Sequence, residues 1–177
     1  MVGAMTEIDD RGRRDGPRPD ALVRRMRRSD VELLQEIHTL CLRECLTSHY
    51  NPSQIEALLE GRTPLDYWLA SERGERFAVV EVAEIVAGYA SWREGELLST
   101  FVAPVAQAHR LGTFLFEACA REAAKEGMPI DRVRATLNAT SFFQSLGFRP
   151  VEAGYDEKNG IRIPHMLMRC PTEQTAS

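Results

Sequence analysis

The alternation of apolar patterns along the chain predicts one α/β domain, with elements in the order β-αα-βββ-α-β-α-ββ. Three observations carry this reading. Residues 96 to 127, ELLSTFVAPVAQAHRLGTFLFEACAREAAKEG, read as a strand, a short loop and a helix in succession. Upstream, FAVVEV and IVAGYASW are short runs rich in β-branched and aromatic residues, separated only by Ala83 and Glu84. Near the C-terminus, Asn159-Gly160 supplies hairpin-turn chemistry before a final apolar run. With 177 residues, 44% of them hydrophobic, the chain can bury a single substantial core without disulfide or metal staples.

The elements follow in order. Ala21 to Arg27 is a first strand whose side chains alternate between two faces. Ser29, with Glu32 three residues later, makes a capping box that opens a helix through about Cys45; Leu34, Ile37 and Cys41 form its core stripe, with His38 at the margin. Pro52 to Glu60 is a second helix, with proline in its first turn and Gly61 to close it. Phe77 to Val82 and Ile85 to Trp92 are a strand pair whose turn lacks the favoured Asn-Gly or Asp-Gly. Leu97 to Val102 is a compact strand that Pro104 ends. From Leu111, apolar residues recur at Phe114, Leu115, Ala118 and Cys119, one buried helix face, and Gly127 and Pro129 stop it. Arg132 to Leu137 is a further strand, and Thr140 to Leu146 a short helix stopped by Gly147. Pro164 marks a bulge or an edge in the last strand.

Composition bounds the function. Residues 1 to 20 are polar, rich in Gly and Pro and without apolar period, so a disordered tail is expected there, a domain over 21 to 171, and a short tail over 172 to 177. No stretch approaches the ~20 apolar residues needed to span a bilayer, and the start has no signal-peptide core, so a cytoplasmic protein without membrane attachment is expected. The cysteines, at 41, 45, 119 and 170, follow no zinc or disulfide framework, consistent with a reducing compartment. Formal net charge is −4, but residues 1 to 28 hold eight arginines against five acids, which leaves −7 for the rest. That balance argues against a nucleic-acid partner, since only the run VRRMRR offers phosphate contacts, and it suits a cationic amine. His38, Cys41 and Cys45 share a helical face, yet no fourth ligand adjoins them, and no metal is expected. Cys119, on the apolar helix face, lacks the surroundings of a nucleophile.

The junction at residues 102 to 113 has a chemistry of its own. The first turn of the helix lies near Arg110 to Gly112, and its unpaired N–H groups, with the helix dipole, favour an anion such as a diphosphate. Gly112 lets the backbone come close. Val102, Pro104, Gln107, Arg110 and Gly112 resemble the acetyl-coenzyme A signature of the GNAT acetyltransferase superfamily, Val-x-Pro-x-x-Gln/Arg-x-x-Gly-x-Gly/Ala, with Arg110 at the middle glycine. LNATSFFQSLGF, residues 137 to 148, is similar to the family's second block, with Phe143 in its tyrosine slot. Looser likenesses extend over residues 21 to 170: HYNPSQIEALLEGRTPLDYWLA to the acceptor-side helices, FAVVEVAEIVAGYASW to the second and third strands, IRIPHMLMRC to the last strand.

The resemblance implies a GNAT-like fold, a mixed, mostly antiparallel sheet of six to seven strands flanked by helices, and acetyl-CoA as co-substrate. It implies a diphosphate on Gln107, Ala108, His109, Arg110, Leu111, Gly112 and Thr113, and a pantetheine arm held by the backbone of Phe101 and Val102. Asn138 approximates the family's asparagine, although counting back from Phe142 puts that slot on Thr136; Phe143 offers the arm only packing. Acetyl transfer needs an acceptor for the amine's proton, donors for the oxyanion and an acid for the thiolate. Glu96, eleven residues before Gln107, stands where some histone-type members carry a base. The expected function is transfer of acetyl from acetyl-CoA to a small-molecule or peptide amine by direct attack in a ternary complex, with a homodimer left open. The alternative is an acyl-CoA-sensing or interaction module of the same fold.

Overall fold

The structure, a computed structural model, describes residues 20–171. The tails expected at 1 to 20 and 172 to 177 lie outside the described residues, Asp20 apart. The strands are β1 (Ala21–Arg25), β2 (Arg76–Val82), β3 (Ile85–Arg93), β4 (Glu96–Val102), β5 (Arg132–Ala135), β6 (Arg149–Lys158) and β7 (Ile161–Arg169). The helices are α1 (Val31–Cys45), α2 (Pro52–Leu59), α3 (Pro64–Glu72), α4 (Leu111–Lys125) and α5 (Thr140–Ser145). All seven strands form one mixed sheet in the order β1-β2-β3-β4-β5-β7-β6. Only β4 and β5 run parallel; every other pair is antiparallel. The expected fold is the observed one. No helix among the described residues is long and apolar enough to cross a membrane.

Each face of the sheet buries its own cluster because strand side chains alternate. Beneath α1, α2 and α3 lie Leu34, Ile37, Leu42, Tyr67, Val79, Tyr89 and Phe101. Beneath α4 and α5 lie Leu97, Val102, Leu111, Leu115, Val133, Phe142, Phe143 and Phe148. Cys119 is in this second cluster, as its place on the helix stripe predicts.

Three local expectations are corrected, and one turn falls where expected. The first helix is not opened by Ser29: Arg28–Asp30 is a 3₁₀ turn, and Asp30 accepts from the Arg27 N–H at 2.6 Å while Arg24 grips its carboxylate at 2.7 and 3.0 Å. A third helix, α3, opens on Thr63, whose N–H donates to Asp66 at 2.7 Å, with Pro64 at its first position. Its one fully buried side chain, Tyr67, leaves it no apolar stripe to read. The strand expected to reach Leu137 stops at Ala135, and Leu137–Ala139 is a 3₁₀ turn. Ala83 and Glu84 take left-handed backbone, φ 49° and 67°, the geometry that Asn159 and Gly160 take at 52° and 75° with better-suited residues.

One irregularity positions the site. β4 and β5 pair only at Glu96↔Arg132 and Leu97↔Val133. Beyond those residues the two strands part, and Val102 and Ala135 stand on opposite lips of a gap. Pro164 sits where β7 has run past the end of β5 and lost that neighbour, the local edge a proline requires.

Candidate active site

The first lip is β4. The Ala103 N–H donates to Ala87 O at 2.8 Å, which sets the alternation along this antiparallel pair: the peptide groups of Phe101 face β3, and those of Thr100 and Val102 face the gap. Two further distances agree. Val102 O accepts from the Gln107 side-chain amide at 3.0 Å and lies 3.1 Å from the Cys41 thiol. A Cβ at Gly88 would stand 2.6 Å from Phe101 O, so close approach of β3 requires glycine there. Phe101, expected to offer its backbone to the gap, therefore turns its peptide group to β3, and the neighbouring groups that face the gap are those of Thr100 and Val102. The ring packs against His38 and Tyr89, centroids 4.5 and 5.5 Å away, on the α1 face.

At the mouth of the gap, Pro104–His109 forms a 3₁₀ turn and Arg110 caps α4 with left-handed backbone, φ 54°. The first helical bond runs from Phe114 N–H to Arg110 O at 3.1 Å, so the N–H groups of Leu111, Gly112 and Thr113 have no partner within the helix. The left-handed cap explains why glycine suits position 110. Gly112 is buried and Arg110 exposed. The side chains of Ala108 and His109 lie outside the described set.

The second lip is the turn after β5, where Thr136 and Asn138 are both buried. The two candidate slots for the family's asparagine thus fall within one turn. Across the gap the end of α1 bridges both lips. Asn138 Nδ2 donates to Cys45 O at 3.3 Å, and Gln107 Nε2 lies 3.5 Å from Cys45 Sγ. Tyr50, just beyond α1, accepts from the Leu137 N–H at 2.9 Å and donates to Pro164 O at 2.7 Å. Tyr50 and Cys45 were not legible as site residues: both act through folded neighbours 60 or more positions away.

Burial and donors set the charges around the gap. The Cys45 thiol is lowered to about 6, first by its hydrogen bond with Cys41 and then by Gln107, against burial and Glu44. Cys41 is pushed up correspondingly, by the same bond and by burial. His38, whose Nδ1 lies 2.7 Å from the Tyr67 hydroxyl, is lowered to about 3 by burial, with Arg62 adding to it, and stays neutral. Burial raises Tyr50 to about 12.

Two expected residues are engaged by other partners. Glu96 is at the opposite end of β4, six residues or ~20 Å from Val102. Its carboxylate accepts from Arg134 Nε at 3.1 Å and lies 3.6 Å from Arg132 Nε. Phe143 has 0% exposure and packs edge-to-face on Phe142 and Phe148, centroids 5.1 and 5.8 Å away. Among the described residues, no three His, Cys, Asp or Glu side chains gather as metal ligands.

The seven-stranded mixed sheet thus splays between β4 and β5, with the N-terminus of α4 at the mouth of the splay. The GNAT acetyltransferase domain family matches residues 46–170, and the chain belongs to it. No curated protein matches the sequence. Among solved structures, a GCN5-related N-acetyltransferase from Rhodopseudomonas palustris superposes with TM-score 0.80 at 20% identity, covering 90% of this chain and 99% of its own. PaiA N-acetyltransferase from Thermoplasma acidophilum, in complex with coenzyme A, gives 0.65 at 17% identity, with 85% and 99% covered. YncA from Salmonella typhimurium, with its cofactor acetyl-CoA, gives 0.63 at 21% identity, with 88% and 96% covered. At these identities the likeness is one of fold.

Proposed function

We propose that this chain transfers the acetyl group of acetyl-CoA to an amine, by direct attack within a ternary complex. The observation that carries the reading is the gap between β4 and β5 with the N-terminus of α4 at its mouth. The coenzyme complexes of PaiA and YncA support the choice of donor. The N–H groups of Leu111, Gly112 and Thr113, which have no partner within the helix, with the dipole of α4 and the Arg110 guanidinium, hold the diphosphate. The peptide groups of Thr100 and Val102, on a strand edge that β5 has left, hold the pantetheine arm and polarise the acetyl carbonyl. Thr136 and Asn138 flank it from the other lip. The neutral amine attacks the carbonyl carbon, the tetrahedral intermediate collapses, and the C–S bond breaks to release coenzyme thiolate. A solvent-connected path takes the amine's proton, with Glu96 engaged by Arg134 and Arg132.

One observation favours a second reading, an acyl-CoA-sensing module. Tyr50, Cys45, Gln107 and Asn138 bridge the lips in a hydrogen-bonded set that an entering arm must rearrange. Calorimetry with acetyl-CoA, followed by mass spectrometry of an amine panel, separates the two: binding with turnover supports the enzyme, binding without it the module. Gly112→Val should weaken acetyl-CoA binding by about 2 kcal/mol, the scale of charged hydrogen bonds left unmade. Unchanged affinity with intact circular dichroism places the diphosphate elsewhere.

A further inference from the structure

The end of α1 carries a dithiol that acetyl transfer to an amine does not use. We propose that Cys45 is an acyl-accepting thiol: when acetyl-CoA occupies the gap and no amine is present, the acetyl group passes to Cys45 Sγ. The inference rests on the coenzyme placement proposed above.

The geometry isolates Cys45 from the other cysteines. It is half-buried and so within reach, and it spans the lips of the gap, its Sγ 3.5 Å from the Gln107 amide and its carbonyl 3.3 Å from Asn138 Nδ2. The same Gln107 amide holds Val102 O, so Cys45 stands beside the backbone assigned to the arm. Cys41, one helical turn earlier, presents its thiol to Cys45 and to Val102 O. A single S–H serves two acceptors, and Val102 O retains Gln107 when that hydrogen turns to a Cys45 thiolate. The helix C-terminus and Glu44 oppose negative charge at Cys45, but the Cys41 and Gln107 donors outweigh them and lower its thiol to about 6. Cys119 is 1% exposed and raised to about 12 by burial. Cys170 follows β7 beside Asp131, at the far end of the sheet from the gap.

The step needs no other reactant. The Cys45 thiolate attacks the carbonyl carbon, a new C–S bond forms, the bond to the coenzyme sulfur breaks, and the coenzyme thiolate takes a proton from water. One thioester replaces another, so the exchange is close to thermoneutral. An amine, when present, competes for the same carbonyl.

The test is intact-mass and peptide mass spectrometry of the full chain after incubation with acetyl-CoA alone, alongside calorimetry. One acetyl group should appear on the peptide holding Cys45, leave on treatment with neutral hydroxylamine, persist in Cys119→Ser and be absent from Cys45→Ser. Cys41→Ala, which removes the donor, should slow its appearance at pH 7 about tenfold. A truncated acetyl thioester without the diphosphate should label at least about tenfold more slowly. Binding of acetyl-CoA with no acetyl on Cys45 overturns this inference and leaves the proposed function standing; no binding overturns both. Labelling spread evenly over the cysteines, or equal rates with the truncated thioester, also overturns it.

Discussion

Phe143→Tyr puts the clearest departure from the family's motif to a quantitative test. The substitution adds one hydroxyl to a ring with 0% exposure, wedged edge-to-face between Phe142 and Phe148 in the apolar cluster under α4 and α5. A hydroxyl buried without a partner costs about 1–3 kcal/mol in protein interiors. Forcing an extra atom into close packing adds a cost of similar scale. A loss of about 2 kcal/mol is expected, which for a chain of this length lowers Tm by roughly 4–8 °C. Urea denaturation should show a lower midpoint with unchanged slope, since the area exposed on unfolding is the same. Single-turnover acetyl transfer should then be no faster than wild type. A Tm within about a degree of wild type, together with a several-fold faster transfer, on the order of 1 kcal/mol of barrier, would refute this. It would show that the ring edge borders the coenzyme sulfur and that a tyrosine there protonates the leaving thiolate.

Three further outcomes are expected. Arg110→Gly removes left-handed strain from the cap of α4 and should raise stability by about 0.5–1 kcal/mol, while making acetyl-CoA binding less salt-dependent; equal salt slopes would show that Arg110 faces away from the diphosphate. Glu96→Gln should leave turnover within about twofold of wild type across pH, because Arg134 and Arg132 engage the carboxylate far from Val102; a fall of ~10²-fold would make Glu96 the base. His38 folds neutral, its value lowered from 6.5 to about 3, so the unfolded chain alone binds its proton between those limits. Its contribution is complete above pH 6.5 and declines as pH falls toward 3, by about 1.4 kcal/mol per pH unit. Urea titrations at several pH values should lose that slope in His38→Gln, and an unchanged slope would assign the proton elsewhere.

Much of the fold was legible because its signals are local. The apolar stripe from Leu111 to Cys119, the Asn159-Gly160 turn and the compact run to Val102 each depend on near neighbours, and each became the element expected. The strand-to-helix junction was readable for the same reason, since helix N–H groups point wherever the first turn begins. What sequence left open was set by pairing at a distance. That β4 parts from β5 after Leu97, that Thr100 and not Phe101 turns its peptide group to the gap, and that Asp30 displaces Ser29 as a cap all follow from strand register or an arginine on another element. Tyr50 reaches Leu137 across 87 positions, and Glu96 meets Arg134 across 38. Periodicity carries no record of such meetings, because it reports which face of an element is buried and not what is buried against it. The sequence by itself therefore determined most of the elements and the strand-to-helix turn that opens α4. The tertiary structure decided which residues line the gap, because sheet order and register choose the partners of every side chain there.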